Sequence, residues 1–85
     1  MTSEDASRVA ATIREFVLAR FPAVRALTLS DEESLLDAQV IDSLGVLDVS
    51  VFLEDTFGIH VADDELNAAN FDSVGALVRF VLRKR

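Results

Sequence analysis

The chain contains no cysteine, which excludes disulfides, thiolate metal sites and a cysteine nucleophile. It also has no Trp or Tyr, and its single histidine is His60. No apolar run approaches the roughly 20 residues that span a bilayer. The acidic first residues lack the basic start and apolar stretch of a secretory signal. We therefore expect a cytoplasmic protein without a membrane anchor, in which any thiol chemistry is imported on a cofactor.

Basic residues are missing from the middle of the chain. Between Ala26 and Val78 there is no Lys or Arg, whereas twelve Asp and Glu fall in that stretch, and the net charge is -7. Such a block repels nucleic acid phosphates and anionic lipids. It favours protein partners with basic patches, which it would meet by electrostatic steering. The alternative, which composition leaves open, is a surface whose charges only keep the protein in solution.

Helical spacing of apolar residues predicts an all-α fold with one domain over residues 1–85. We expect a first helix from a Ser3 cap to Phe21, a second from about Ser43 to Thr56, and a last helix capped by Asp72 or Ser73. A short extra helical turn is expected in the acidic stretch 62–66, between the second helix and the last. The predicted architecture is a small helical bundle of three main helices plus one short helix, with a long first loop, and we expect a monomer.

The long first connection, residues 23–41, has no helical period. A loop of this length in a compact domain is usually functional or packed down by its own side chains. We expect leucines to pin it to the core, with a short helical turn after Ser30 as one option. These leucines are Leu27, Leu29, Leu35 and Leu36.

The second predicted helix is apolar on two faces. One face consists of Val49, Phe52, Leu53 and Phe57, and the other of Leu44, Leu47 and Val51. A small domain cannot easily bury both faces of one helix. We therefore expect one of the two sets to remain on the surface as a contact site.

Ser43 places a hydroxyl at the start of this helix, directly after Asp42. The plain interpretation is an ordinary helix cap, for which both residue types are common. The functional interpretation is an attachment point, because a phosphoester there would lie near free backbone N–H groups and the positive end of the helix dipole. Catalysis by Ser43 lacks a base, since His60 lies past the far end of a helix about 20 Å long. We therefore expect no enzymatic activity.

The acidic clusters do not predict a metal site. Neither Asp31-Glu32-Glu33 nor Asp63-Asp64-Glu65 has the alternating ligands, central glycine and distant glutamate of a calcium-binding loop.

The stretch from Val40 to Val81 resembles the acyl carrier proteins, above all those that are separate small chains. The resemblance rests on the order and spacing of several short motifs, each common by itself. These are Ile41-Asp42-Ser43-Leu44, Leu47-Asp48, Phe52-Leu53-Glu54-Asp55, Phe57-Gly58-Ile59, Asp63-Asp64-Glu65-Leu66 and Asn70-Phe71-Asp72-Ser73-Val74. The chain departs from the family before Asp42, where many members have a glycine and this one has Ala38-Gln39-Val40-Ile41.

The resemblance implies that Ser43 receives 4′-phosphopantetheine from a magnesium-dependent phosphopantetheinyl transferase, with Asp42 as helix cap and recognition residue. The thiol of this arm would carry an acyl or aminoacyl group as a thioester. The implied partners are a loading ligase and downstream transferases or synthases with basic patches, in fatty acid, polyketide or nonribosomal peptide biosynthesis. They would meet a surface formed by Leu44, Leu47, Asp48, Val51, Glu54 and Asp55. The apolar part of this surface, Leu44, Leu47 and Val51, is the set that the resemblance leaves exposed, and it is called here the exposed stripe. The alternative function is an unmodified acidic interaction module.

Phenylalanine positions lead to an expectation about the cargo. Five rings fall on inward-facing positions of the predicted helices: Phe16, Phe52, Phe57, Phe71 and Phe80. Protein interiors pack at close to crystal density, so five rings in so small a core would leave little room for a long acyl chain. We therefore expect an amino acid or a short acid on a solvent-exposed arm.

Overall fold

The computed structural model describes residues 3–23 and 30–85, and these form helices, turns and loops without a strand. The expected all-α bundle of three main helices and a short one is confirmed. The helices are α1 (Ser3–Arg20), α2 (Ser43–Phe57), α3 (Ala68–Phe71) and α4 (Val74–Lys84), with a 3-10 turn at Asp63–Glu65 before α3.

Local signals set the helix ends. The Asp42 carboxylate accepts the Gly45 N–H, and Gly58 ends α2 in the left-handed conformation with φ 67°. Ser73 caps α4 by accepting the Ala76 N–H, which decides between the two predicted caps. The boundary of α1 differs slightly from the prediction, because Ser3 is itself the first residue of the helix.

The core lies where α1, α2 and α4 meet. α1 packs against α4, and the short α3 also packs against α4. Apolar residues at helical spacing supply most of the buried side chains, as the sequence predicts. They are Val9, Ile13 and Val17 from α1, Val49 and Leu53 from α2, Phe71 from α3, and Val74, Leu77, Phe80 and Val81 from α4.

The described part of the first connection, residues 30–41, is anchored by its own side chains. Leu35 and Ile41 are buried, and the Leu35 N–H donates to the Asp72 carbonyl at 2.7 Å. Hydrogen-bonded turns replace the helical turn expected after Ser30, and Gln39 adopts a left-handed φ of 59°. The expected anchors Leu27 and Leu29 lie outside the described residues.

Three of the five phenylalanines expected in the core are only partly buried. Phe71 and Phe80 are each 1% exposed, whereas Phe16, Phe52 and Phe57 are half-buried and pack against the core cluster. For Phe52 the reason is the rotation of α2 about its axis. Val49 and Leu53 point at the core, and successive residues of a helix are about 100° apart, so Phe52 is directed to the side facing α1.

Over the described ranges, no helix has both the length and the apolar character needed to cross a bilayer.

Candidate functional site

Ser43 is the first residue of α2, and its side chain is exposed. The capping role is filled by Asp42, whose carboxylate accepts the Gly45 N–H at 2.9 Å. In the part of the chain that the structure describes, the Ser43 hydroxyl takes part in no hydrogen bond. This oxygen is therefore open to solvent and contributes no hydrogen bond to the described fold.

Three other serines are committed to the fold. The Ser34 hydroxyl donates to the Asp72 carboxylate at 2.7 Å, and the buried Ser50 hydroxyl donates to the Leu47 carbonyl at 2.7 Å. Ser73 caps α4. Modifying any of these oxygens would break a native hydrogen bond, whereas modifying Ser43 would not.

The single histidine of the chain is not placed to activate Ser43 for catalysis. His60 follows Gly58 at the opposite end of α2, and the 15 residues of that helix extend about 20 Å. The His60 side chain is 84% exposed, with its Nδ1 3.5 Å from the Glu54 carboxylate. His60 therefore lies past the far end of α2, as the sequence predicts, and Ser43 lacks the histidine partner of a hydrolase.

An apolar groove of about 400 Å³ lies beside Ser43. It runs between the start of α2, the first connection and α3. Its apolar lining consists of Leu36, Val46, Leu47, Leu66 and Ala68, with Ser43 and Asn67 at its edge. The sequence does not predict this groove, because its walls come from three segments that are separate in the chain. A flexible chain joined to the Ser43 oxygen could lie along it.

The exposed stripe on α2 is confirmed as a surface feature. Leu44 is 73% exposed, Leu47 48% and Val51 56%. Large apolar side chains on the surface of so small a protein are typical of a contact surface.

The three carboxylates expected at the partner surface are not equivalent. The Asp48 carboxylate forms a 2.7 Å salt bridge with Arg20 of α1. Glu54 accepts the Val61 N–H at 2.8 Å and so holds the loop after α2. Asp55 is exposed and, among the residues that the structure describes, has no hydrogen-bond or ion-pair partner. Asp55 is therefore the carboxylate that a partner meets without competition.

Polar contacts fasten the first connection to α1 and α4. The Gly75 N–H donates to the Asp31 carbonyl at 2.6 Å. Arg14 forms a salt bridge with the Asp31 carboxylate at 3.2 Å, and Arg79 forms one with the Glu32 carboxylate at 3.1 Å. The hydrogen bond from Arg79 holds the pKa of Glu32 below its ordinary value. These contacts help to position the segment that leads into Asp42 and Ser43.

Within residues 3–23 and 30–85, no group of three or more His, Asp and Glu side chains is arranged to hold a metal ion. In comparisons with protein-family models, with curated proteins and with solved structures, the chain matches none of them. Function must therefore be inferred from the residues and geometry of this chain.

Proposed function

We propose that this protein is an acyl carrier protein and that Ser43 is its attachment site for 4′-phosphopantetheine. The observation that carries the proposal is the exposed Ser43 hydroxyl at the start of α2. This hydroxyl is not needed as the helix cap, because the Asp42 carboxylate fills that role. The motifs around Ser43, from Ile41 to Val74, resemble those of the acyl carrier family. The groove beside Ser43 supports the same function, since it offers an apolar surface to an attached arm.

Attachment requires one phosphoryl-transfer step on Ser43. The Ser43 oxygen attacks the phosphorus of coenzyme A that bears the pantetheine, and a base of the transferase takes the hydroxyl proton. The bond from that phosphorus to the bridging oxygen breaks, and adenosine 3′,5′-bisphosphate leaves. The new phosphodiester carries a negative charge at the first turn of α2, where the helix dipole stabilises it.

The attached arm supplies a terminal thiol, which this cysteine-free chain cannot provide itself. Acyl or aminoacyl cargo would be held there as a thioester and presented to enzymes of fatty acid, polyketide or nonribosomal peptide biosynthesis. The expected partners are the transferase, a loading ligase and downstream transferases or synthases with basic patches. In this function the protein carries the cargo and performs no catalysis of its own.

The direct test is the intact mass of the protein after incubation with coenzyme A, Mg²⁺ and a broad-range phosphopantetheinyl transferase. We expect a gain of one phosphopantetheine on Ser43. The second candidate, an unmodified interaction module, is favoured only by the exposed stripe and its acidic neighbours. It requires an unchanged mass in this assay.

We expect charge reversal at Glu54 and Asp55 to slow loading by partner enzymes. With Lys at both positions, the association rate should fall severalfold at low salt, and its salt dependence should weaken, because steering by opposite charges is lost. Stopped-flow or steady-state loading assays over a range of salt concentrations measure both effects. Unchanged kinetics in a folded double variant would exclude this surface as the docking site.

Because Glu54 also holds the loop after α2, single variants are needed to separate the effect of surface charge from the effect of this contact. Asp55→Lys removes a carboxylate without a native partner and should reproduce most of the slowing. Glu54→Gln keeps an oxygen for the Val61 N–H and should change loading less. If Glu54→Gln slows loading more than Asp55→Lys, the loop after α2 matters more than the surface charge.

The size of the cargo remains a prediction. Only Phe71 and Phe80 of the five rings are fully buried, so the prediction rests chiefly on the close packing around these two. We expect holo protein loaded with acetyl and with octanoyl groups to melt at nearly the same temperature. Burial would instead stabilise by about 0.8 kcal/mol per methylene. A melting temperature that rises with chain length would place the cargo in the groove beside Ser43, and Leu66→Asn should then reduce that rise.

A further inference from the structure

Four half-buried phenylalanines form a row between α1 and α2, called here the aromatic seam: Phe21, Phe16, Phe52 and Phe57. Their ring centroids are 6.3, 4.0 and 6.2 Å apart in that order, and the central pair is stacked. Rings of this size dominate the energetics of cores and interfaces when they are fully buried. Here all four residues are only partly buried.

A groove of about 430 Å³ follows the middle of the aromatic seam. Phe16 and Phe52 line it together with Val51, and Thr56 lies at its exposed edge. Val51 also belongs to the exposed stripe. The groove and the stripe are therefore continuous across α2, and together they form an apolar surface larger than either alone.

The charges around this groove favour a cationic occupant. The guanidinium of Arg20 is already bound to Asp48 at 2.7 Å, so this pair contributes no net charge. The Asp55 carboxylate lines the same groove without a hydrogen-bond or ion-pair partner in the described ranges. An entering Arg or Lys would meet this carboxylate beside the partly exposed side chains of Phe16 and Phe52, against which its aliphatic stem could pack. An acidic segment would be repelled.

We propose that the aromatic seam is a docking site for the phosphopantetheinyl transferase, which places there an apolar segment that carries Arg or Lys. This inference rests on the proposed function. Thr56 lies about 20 Å along α2 from Ser43, and an interface of standard size, about 800 Å² on each partner, covers both. The enzyme's footprint then extends over α2 onto α1, beyond the partner surface expected from the sequence.

The test is a charge placed at the exposed edge of the groove. In the full chain, Thr56→Lys introduces a cation beside Asp55 and leaves the exposed stripe and Ser43 unchanged. With a broad-range transferase and coenzyme A at low salt, KM for the carrier should rise about fivefold with kcat within about twofold, and the effect should shrink as salt is added. Ala11→Lys is the matched control, because Ala11 is exposed on α1 and does not line the groove. It makes the same change in net charge, and its KM should stay near that of the wild type.

A second variant tests the rings themselves. Phe52→Leu keeps an apolar side chain but removes the stacked ring, so KM should rise severalfold while circular dichroism shows a folded protein. If this variant fails to fold, Thr56→Lys decides the question by itself. Equal KM values for Thr56→Lys and Ala11→Lys would overturn the docking site, while a normal mass gain would leave the proposed function standing. A wild-type chain that gains no mass would overturn both.

Discussion

Replacing Ser43 with alanine is expected to abolish attachment of phosphopantetheine completely while leaving the fold almost unchanged. The attacking oxygen is removed, and the hydroxyls of Ser34, Ser50 and Ser73 are each engaged in a native hydrogen bond. Asp42 remains the cap of α2 through its 2.9 Å bond to the Gly45 N–H. The free energy of unfolding should therefore change by no more than about 0.5 kcal/mol. Intact mass and a urea denaturation curve measure the two quantities.

Ser7→Ala is the control for this experiment, since Ser7 is exposed on α1. It should gain one phosphopantetheine at the rate of the wild-type protein. A Ser43→Ala protein that still gains this mass would show that the attachment site is assigned to the wrong residue.

Gly75→Ala is expected to reduce the free energy of unfolding by about 2 kcal/mol, the range for overfilling a well-packed site. A Cβ atom on Gly75 would lie 2.9 Å from the Asp31 carbonyl oxygen and would also clash with the Glu32 carboxylate. The Asp31–Glu32 turn would have to move away from α4, which breaks the 2.6 Å hydrogen bond from the Gly75 N–H. Alanine's higher helix propensity offsets at most about 1 kcal/mol of this loss. Urea denaturation at neutral pH measures the change.

The same variant should alter the dependence of stability on pH. The hydrogen bond from Arg79 lowers the pKa of Glu32 in the folded state. A lowered pKa adds stability above the unfolded-state pKa, about 4.3 for glutamate. That stability is lost as the pH falls from there through the folded-state pKa. In Gly75→Ala the two side chains separate, so stability should fall less steeply below about pH 4.3.

Two controls isolate the cause. Glu32→Gln should show the same shallower acid dependence while retaining the turn on α4. Glu32→Ala combined with Gly75→Ala removes the side-chain clash but not the contact with the Asp31 carbonyl, so it should remain destabilised. Wild-type stability in Gly75→Ala would mean that the turn does not lie closely on α4.

The sequence by itself determined the helices and pointed to Ser43 as the proposed attachment residue. Asp42, Gly58 and Ser73 end or begin helices through hydrogen bonds and backbone angles that reach only three or four residues along the chain. Such signals can be read from adjacent residues. The exposure of one apolar face of α2 was also predictable, because an 85-residue domain has too little core to bury both faces.

Only the tertiary structure decided how the surroundings of that residue are arranged. The groove beside Ser43 combines Leu36, Val46 and Leu66 from separate segments. Arg20 of α1 forms a salt bridge with Asp48, so that of the three carboxylates expected at the partner surface Asp55 is the one with no hydrogen-bond or ion-pair partner among the described residues. Phe52 lies in the seam instead of the core because the rotation of α2 is set by its packing against the rest of the bundle. Apolar periodicity shows that a helix buries a face, but the neighbours that meet each side chain depend on contacts far apart in the chain.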